Sequence, residues 1–326
     1  MADQVTKPED VIVPELFTQY VLEETTEKSE IVASGAVENN PILNEMLSSG
    51  GSVTFTMPKW NDLGGKSDVF TAKKGSETKK VVSHAEIGVK LMRESSWGFH
   101  DLAHTFAGDD PTRVYAAMVG EWWRLDEKRN LMSILKGVIA SDDMKDHVLD
   151  ITGESNSTID AKQILDAKQL MGDAANKLSL IYMHSAVFTE LQKQQVIEYR
   201  QATDADIRLA TYLGYTVICD DSAPVETSDK DKFTTFLLAR GCIQRGIGTP
   251  PGFVGTEVKR DADIATTKIY TRQSKILHPK GMTWDARASE LTYETPTDEE
   301  LAKGEYWAKA TDDLKNVGIV ALVHHI

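Results

Sequence analysis

Apolar and polar positions change their period several times along the chain, and each change predicts a different element. Over residues 14–28 Phe17, Val21 and Leu22 fall on one helical face behind Pro14, a residue suited to a first helical turn. So short an amphipathic helix has little core of its own and needs another surface to dock on. From residue 52 the period is two: Val53, Phe55 and Met57 alternate with Ser52, Thr54 and Thr56, as in a half-buried strand. A second strand is predicted at "VVSHAEIGVKLM", residues 81–92. The glycine- and lysine-rich stretch between them, with a weak apolar island at Val69-Phe70, makes the pair a hairpin with a long polar loop.

A long helical pattern follows. Asp109 and Asp110 offer capping carboxylates and Pro111 fits the first turn. Val114, Met118, Trp122, Leu125 and Met132 lie near one stripe, and Gly137 ends the pattern. The expected helix has about 26 residues and is roughly 39 Å long, more than most globular helices. Trp122 and Trp123 point about 100° apart on a helix, so they cannot share one core. A second apolar surface is therefore expected here, and both tryptophans are candidates for a contact between chains.

From residue 160 the pattern becomes α/β. "DAKQILDAKQLMGDAANK" reads as helix, "LSLIYMH" as a buried strand, "SAVFTELQKQQ" as helix and "LGYTVICDDSAP" as a strand ending in a turn. "FTTFLLARGCIQRGIG" reads as one further strand, with Gly246-Ile247-Gly248 as a turn. Two more strands are expected around "HPKG" at 278–281. Thr297 with Glu300 spells a capping box ahead of a charged helix, and the chain closes on a strand, "VGIVALVHH".

Composition is that of an ordinary globular protein, with 41% hydrophobic and 26% charged residues in 326. The net charge of −14 argues against a nucleic-acid binder, whose contact surface must be basic. Charge is unevenly placed. Residues 59–80 hold six lysines against three carboxylates, whereas residues 1–30 hold eight carboxylates against Lys7 and Lys28. The opening "MADQVTKPED" is polar and unlike an export signal, and no apolar run approaches the ~20 residues that span a bilayer. Cys219 and Cys242 lie in strand-like apolar runs and read as buried thiols; two cysteines make neither a disulfide framework nor a four-ligand zinc site.

Chemistry is sparse. His100-Asp101-Leu102-Ala103-His104 approaches the H-E-x-x-H pattern of zinc peptidases, and on a helix both histidines would share a face. The glutamate base is missing, however, and no third ligand motif follows. A metal-dependent hydrolase is the outside reading; no catalytic, cofactor or metal residue is assigned. Asp220-Asp221 reads as a turn carboxylate pair facing water, and His324 and His325 as a frayed terminus.

Taken in order, "VIVPELFTQYVLEETTEKSEIVASGAVE", "GGSVTFTMPKWNDLGG", "DLAHTFAGDDPTRVYAAMVGEWWRLDEKRNLMSILKGV", "IYMHSAVFTELQKQ" with "TYLGYTVICDD", "ILHPKGMTWD" and "PTDEELAKGEYWAKATDDLKNVGIVAL" resemble the major capsid proteins of tailed bacteriophages. Herpesvirus capsid floors and bacterial encapsulins share that family's fold. The resemblance implies an α+β chain with an N-terminal arm over 1–45, an extended hairpin loop over 46–92, and a peripheral domain over 93–159 crossed by a spine helix near 111–137. An axial α/β domain over 160–275 and a return to the peripheral region over 276–326 would follow. It further implies a structural protein, without cofactor, that builds an icosahedral virion shell of hexamers and pentamers around double-stranded DNA in the host bacterial cytoplasm.

Implied partners are further copies of the chain, a portal protein and a decoration protein. A separate scaffolding protein is expected too, because the chain starts almost at the arm. An encapsulin-like shell around an enzyme cargo is the alternative on the same fold. Lys66, Lys73 and Lys74 of the basic loop, with Trp122 and Trp123, are the expected contacts between subunits.

Overall fold

The computed structural model describes residues 34–60, 66–67, 69, 78, 83–100, 111–154, 157–194, 197–201, 208–227 and 230–326. The helix read at 14–28, Lys73, Lys74, Asp101 and His104 lie outside these residues. In chain order the elements begin with β1 (Val37–Asn39), α1 (Pro41–Ser48), β2 (Thr54–Trp60), β3 (Ser83–His100) and α2 (Pro111–Ala140). Then come β4 (Val148–Asp150), α3 (Ala161–Gln169), β5 (Leu178–Met183), α4 (Ser185–Lys193), β6 (Ile197–Gln201), β7 (Arg208–Tyr212) and β8 (Tyr215–Cys219). The remainder comprises β9 (Val225–Glu226), β10 (Lys232–Ala239), β11 (Ile243–Ile247), β12 (Thr256–Asp261), β13 (Thr266–Pro279), β14 (Met282–Trp284), α5 (Asp298–Leu301), β15 (Trp307–Lys309) and β16 (Ile319–His324).

Helix starts follow local chemistry. The Asn40 side chain accepts the Ile42 N–H at 2.9 Å ahead of Pro41, and Asp160 accepts from Lys162 at 2.7 Å and Gln163 at 3.1 Å. The capping box is present: Thr297 Oγ1 accepts the Glu300 N–H at 3.2 Å and Glu300 Oε2 accepts the Thr297 N–H at 2.8 Å. The helix behind it is one turn, shorter than the charge pattern of residues 295–310 suggested; the chain then tightens through residues 304–306 into β15.

Two large sheets organise the described residues, beside a small two-stranded sheet of β14 and β15. In the first, the order is β1-β11-β13-β3-β2, with β12 also paired to β13. The 18-residue β3 joins two partners: its first part makes the predicted antiparallel hairpin with β2, Thr54 opposite Val89 and Trp60 opposite Ser83, and its remainder runs along β13. In the second, the order is β4-β16-β10-β5-β8-β7-β6, with β9 beside β10. It is mixed: β5 runs parallel to β8 and β16 parallel to β4, while β10 is antiparallel to both β5 and β16. One apolar core joins this sheet to the second half of α2, from Leu131 to Val138, and to Ile243 and Leu277 of the first sheet.

Two expectations about strands need correcting. "FTTFLLARGCIQRGIG" is two strands in two sheets, because Gly241 takes φ +63° and turns the chain out of β10 into β11. Gly246 is no turn either: it lies within β11, where α1 crosses so closely that a Cβ would stand 2.7 Å from Leu43 Cβ. At Gly248, just past the strand, a Cβ would meet Asn44 O at 3.1 Å. The last strand sits inside the second sheet between β4 and β10, which is why "IVALV" is an almost unbroken buried run.

That placement overturns the frayed-terminus reading of His324. Its ring is fully buried, with Nε2 2.9 Å from Thr235 Oγ1 and Nδ1 2.9 Å from the His325 carbonyl oxygen. Burial drives its pKa from 6.5 down to about 4. The folded state therefore refuses a proton that the unfolded chain accepts below pH 6.5. The contribution to stability is complete above that value and is lost at about 1.4 kcal/mol per pH unit on descending toward pH 4. His324→Gln is expected to remove one proton's worth of slope from urea-denaturation free energies between pH 6.5 and 5. An unchanged slope would place the acid sensitivity elsewhere.

The cysteine expectation holds for Cys242, which is buried and whose thiol burial pushes up to about 12, but not for Cys219, exposed at the end of β8.

Candidate assembly surface

The long helix α2 has two faces in use. Toward the protein it presents Val119, Trp123, Asn130, Leu131, Ile134, Leu135 and Val138, all at most 5% exposed. The stripe read from the sequence points the other way over its middle stretch: Met118 is 62% and Leu125 41% exposed, and Trp122 is half-buried, although Met132 is buried as expected. Met118, Trp122 and Leu125 thus form an apolar row at helical spacing on the open side.

Asp126, Glu127 and Lys128 explain why periodicity mistook the face. These three consecutive charges all turn toward the protein, each to a different partner. Asp126 Oδ2 accepts from Lys275 Nζ on β13 at 2.9 Å, the two side chains being 10% and 3% exposed. Glu127 takes Arg245 of β11 in a two-pronged pair, Nε to Oε1 at 2.5 Å and Nη2 to Oε2 at 2.8 Å. Lys128 pairs with Asp220, just beyond β8. The helix is therefore pinned by charge to both sheets. Asp220 is no water-facing turn carboxylate. Burial alone would raise its pKa, but hydrogen bonds from Lys128, Tyr182 and Ser222 outweigh that and hold it below the ordinary value. Only Asp221 of the pair faces water.

Contrary to the expectation that they cannot share one core, both tryptophans join one small cluster with Val119 and Ile269, their rings edge-on with centroids 4.8 Å apart; they differ in exposure. Trp123 is wholly enclosed by its own chain, donating Nε1–H to Thr271 Oγ1 at 3.2 Å and lying under the Lys275 ammonium at 5.9 Å. Within the subunit its side chain has no exposed surface. Trp122 stands edge-on to Trp97 with centroids 5.3 Å apart, and the Arg129 guanidinium lies 5.7 Å from its ring centre. It keeps an accessible edge beside Met118 and Leu125.

At the hairpin base, Glu86 of β3 is 1% exposed and gathers partners from three places. Its Oε1 accepts from Lys59 Nζ of β2 at 2.6 Å and from the Gly281 N–H at 3.1 Å, and its Oε2 lies 3.4 Å from Nε2 of the equally buried His278 of β13. Burial would raise the Glu86 pKa; His278 and Lys59 reverse that and lower it. Lys59 is thus spent within its own subunit, whereas Lys66 is exposed farther along the loop.

Among the described residues no metal-binding cluster accompanies this surface. His100 closes strand β3 rather than sitting on a helix, so the i, i+4 face proposed for zinc does not form at that residue. Among the described residues no cluster of three His, Cys, Asp or Glu side chains is placed to hold a metal, and no helix is long and apolar enough to cross a membrane.

Known proteins agree with an architectural role. The chain is 37% identical over 324 residues to the major capsid protein of Bacillus phage SPP1, with 98% of each sequence covered. Its fold is similar to the capsid of Ralstonia phage GP4, at a TM-score of 0.61 with 7% identity and 91% of each chain covered. It is also similar to the head structure of Helicobacter pylori bacteriophage KHP40, at 0.55 with 9% identity over 90% of this chain and 88% of that one. Residues 129–320 match the family Gp13-like, described as Major capsid protein 13-like. The long pinned helix, the two-sheet body and these relatives make the chain a structural component of a tailed-phage virion and not an enzyme: it belongs to the Gp13-like major capsid proteins, which build the icosahedral head from copies of themselves.

Proposed function

We propose that the chain assembles as hexamers and pentamers around a separate scaffolding protein, and that a neighbouring copy covers the Met118–Trp122–Leu125 row. That row carries the reading: three apolar side chains on the open side of a helix already anchored to both sheets want a second partner. In this arrangement residues 1–45 act as the arm and residues 46–92 as the extended loop. The first sheet with α2 makes the peripheral region and the second sheet the axial one. The basic loop, through Lys66, Lys73 and Lys74, pairs with carboxylates of an adjacent subunit. Heterologous contacts of this kind close into rings, and rings tile a shell. A portal protein occupies one vertex and a decoration protein the outer face. Double-stranded DNA fills the interior without specific binding, since a chain of net charge −14 repels phosphate. Assembly takes place in the host bacterial cytoplasm.

Electron microscopy and sedimentation of the protein alone and with its scaffold test this reading. Shells, tubes or capsomer rings are expected; a monomer under every condition would refute it. Met118→Ser with Leu125→Ser, at the two exposed positions of the row, should leave subunit stability within about 1 kcal/mol while abolishing assembly, because each apolar side chain kept from burial at a contact forfeits up to about 1.5–3 kcal/mol. Reversing Lys66, Lys73 and Lys74 to Glu should lower the assembled fraction and its salt sensitivity. Unchanged assembly would remove the loop pairing from the proposal.

A further inference from the structure

A groove of about 940 Å³ opens where the hairpin base meets the β10–β11 turn and the loop before β16. Five basic side chains, Lys59, Lys177, Arg240, Lys280 and Lys315, line it against three acidic ones, Glu86, Asp312 and Asp313. That balance reverses the chain's own, which is 36 basic to 50 acidic. Lys59 and Lys315 are committed locally, to Glu86 and Asp173 at 2.6 Å each. Lys177, Arg240 and Lys280 form no ion pair among the described residues, and Trp60 stands at the lip with 74% of its surface exposed.

The described chain begins at this same groove. The Gly35 carbonyl oxygen accepts the Gly241 N–H at 2.8 Å and the Ala36 carbonyl oxygen the Ile243 N–H at 3.2 Å, so the first described residues lie beside the lining turn. The sequence ahead of them is acidic, with eight carboxylates against two lysines in residues 1–30. Glu23, Glu24, Glu27 and Glu30 lie within 12 residues of Gly35, and at about 3.6 Å per residue Glu30 reaches up to roughly 18 Å and Glu23 roughly 43 Å from it. The same segment carries Phe17, Val21 and Leu22 on one helical face, suited to an exposed indole.

We propose that the groove seats the chain's own N-terminal segment, residues 9–30, with its carboxylates over Lys177, Arg240 and Lys280 and its apolar face against Trp60. Tethering at Gly35 gives the segment a millimolar effective concentration at the groove, which compensates for the weakness of each exposed ion pair. This seat belongs to the unassembled subunit and is independent of how shells close.

Zero-length carbodiimide cross-linking of the full-length, unassembled protein, read by mass spectrometry on mixed ¹⁴N- and ¹⁵N-labelled copies, tests it. Links from Glu23, Glu24 and Glu27 to Lys177 and Lys280 are expected within copies of one label. Arg240→Glu with Lys280→Glu should reduce the remaining links to Lys177 about tenfold, the effect of two attractive pairs turned repulsive. Adding Glu23→Lys, Glu24→Lys and Glu27→Lys should restore arm-to-groove links with reversed polarity. Links from the segment to other surfaces only, or links found only between differently labelled copies, would overturn the proposal; the second result would make the occupant a neighbour's arm. The wild-type map decides this even if a variant fails to fold.

Discussion

Arg245→Met should destabilise the subunit by about 3–5 kcal/mol, because it leaves the Glu127 side chain buried and without its partner. The Arg245 and Glu127 side chains are 3% and 6% exposed and joined by two hydrogen bonds, so water cannot take over the role of the lost guanidinium. The same deletion frees α2 from β11 at the point where neighbouring Asp126 and Lys128 hold β13 and the end of β8. Arg245→Met combined with Glu127→Leu removes both charges and should recover most of the loss, since a buried pair exchanged for apolar groups is often neutral or better. Guanidinium denaturation of unassembled subunits, followed through the nearby Trp123, measures both. The informative quantity is the coupling between the two substitutions. A single-variant loss below about 1 kcal/mol would mean that solvent reaches the pair and that the helix is held by its apolar face alone.

Gly137→Ala should cost about 1–3 kcal/mol although it replaces glycine by the best helix former. On an exposed helix that exchange gains about 1 kcal/mol. Here a Cβ would stand 2.1 Å from the Leu301 carbonyl oxygen and 2.6 Å from Trp307 Nε1, the two atoms that share a 2.8 Å hydrogen bond. Overpacking of about 1–3 kcal/mol and the weakened hydrogen bond of about 1 kcal/mol outweigh the propensity gain. Three residues on, Gly304 lies as close to Ala140 in the same crossing, its absent Cβ falling 2.2 Å from the Ala140 carbonyl oxygen. Lys136→Ala, one position earlier and exposed, is the control and should change stability by less than about 0.5 kcal/mol. A stabilised Gly137→Ala protein would show that residues 301–307 can move away from the helix. The helix that the sequence appeared to end at Gly137 in fact runs to Ala140; this glycine serves a contact and not a stop.

What could be read from the sequence is what neighbours within a few residues control. The hairpin strands follow from alternation at Val53, Phe55 and Met57, and the box at Thr297 and Glu300 from two side chains three residues apart. The existence of the long helix follows from an acidic, proline-led start and a sustained apolar pattern, and the ordered set of motifs was enough to point to a capsid fold.

Partners distant along the chain were decided by tertiary structure alone. Asp126, Glu127 and Lys128 look like a solvated face until Lys275, Arg245 and Asp220 arrive from three separate elements to neutralise them; that is why the helix buries the face its periodicity assigned to water. His324 looks terminal and exposed until β16 is inserted between β4 and β10. Gly246 and Gly248 look like a turn until α1 is laid on them. By itself the sequence determined which segments form helices and strands, because caps, turns and periodicity act over one or two turns of chain. Which faces meet, and so which apolar row is left open for another copy, was decided only when long-range pairing compensated for the desolvation of buried charge.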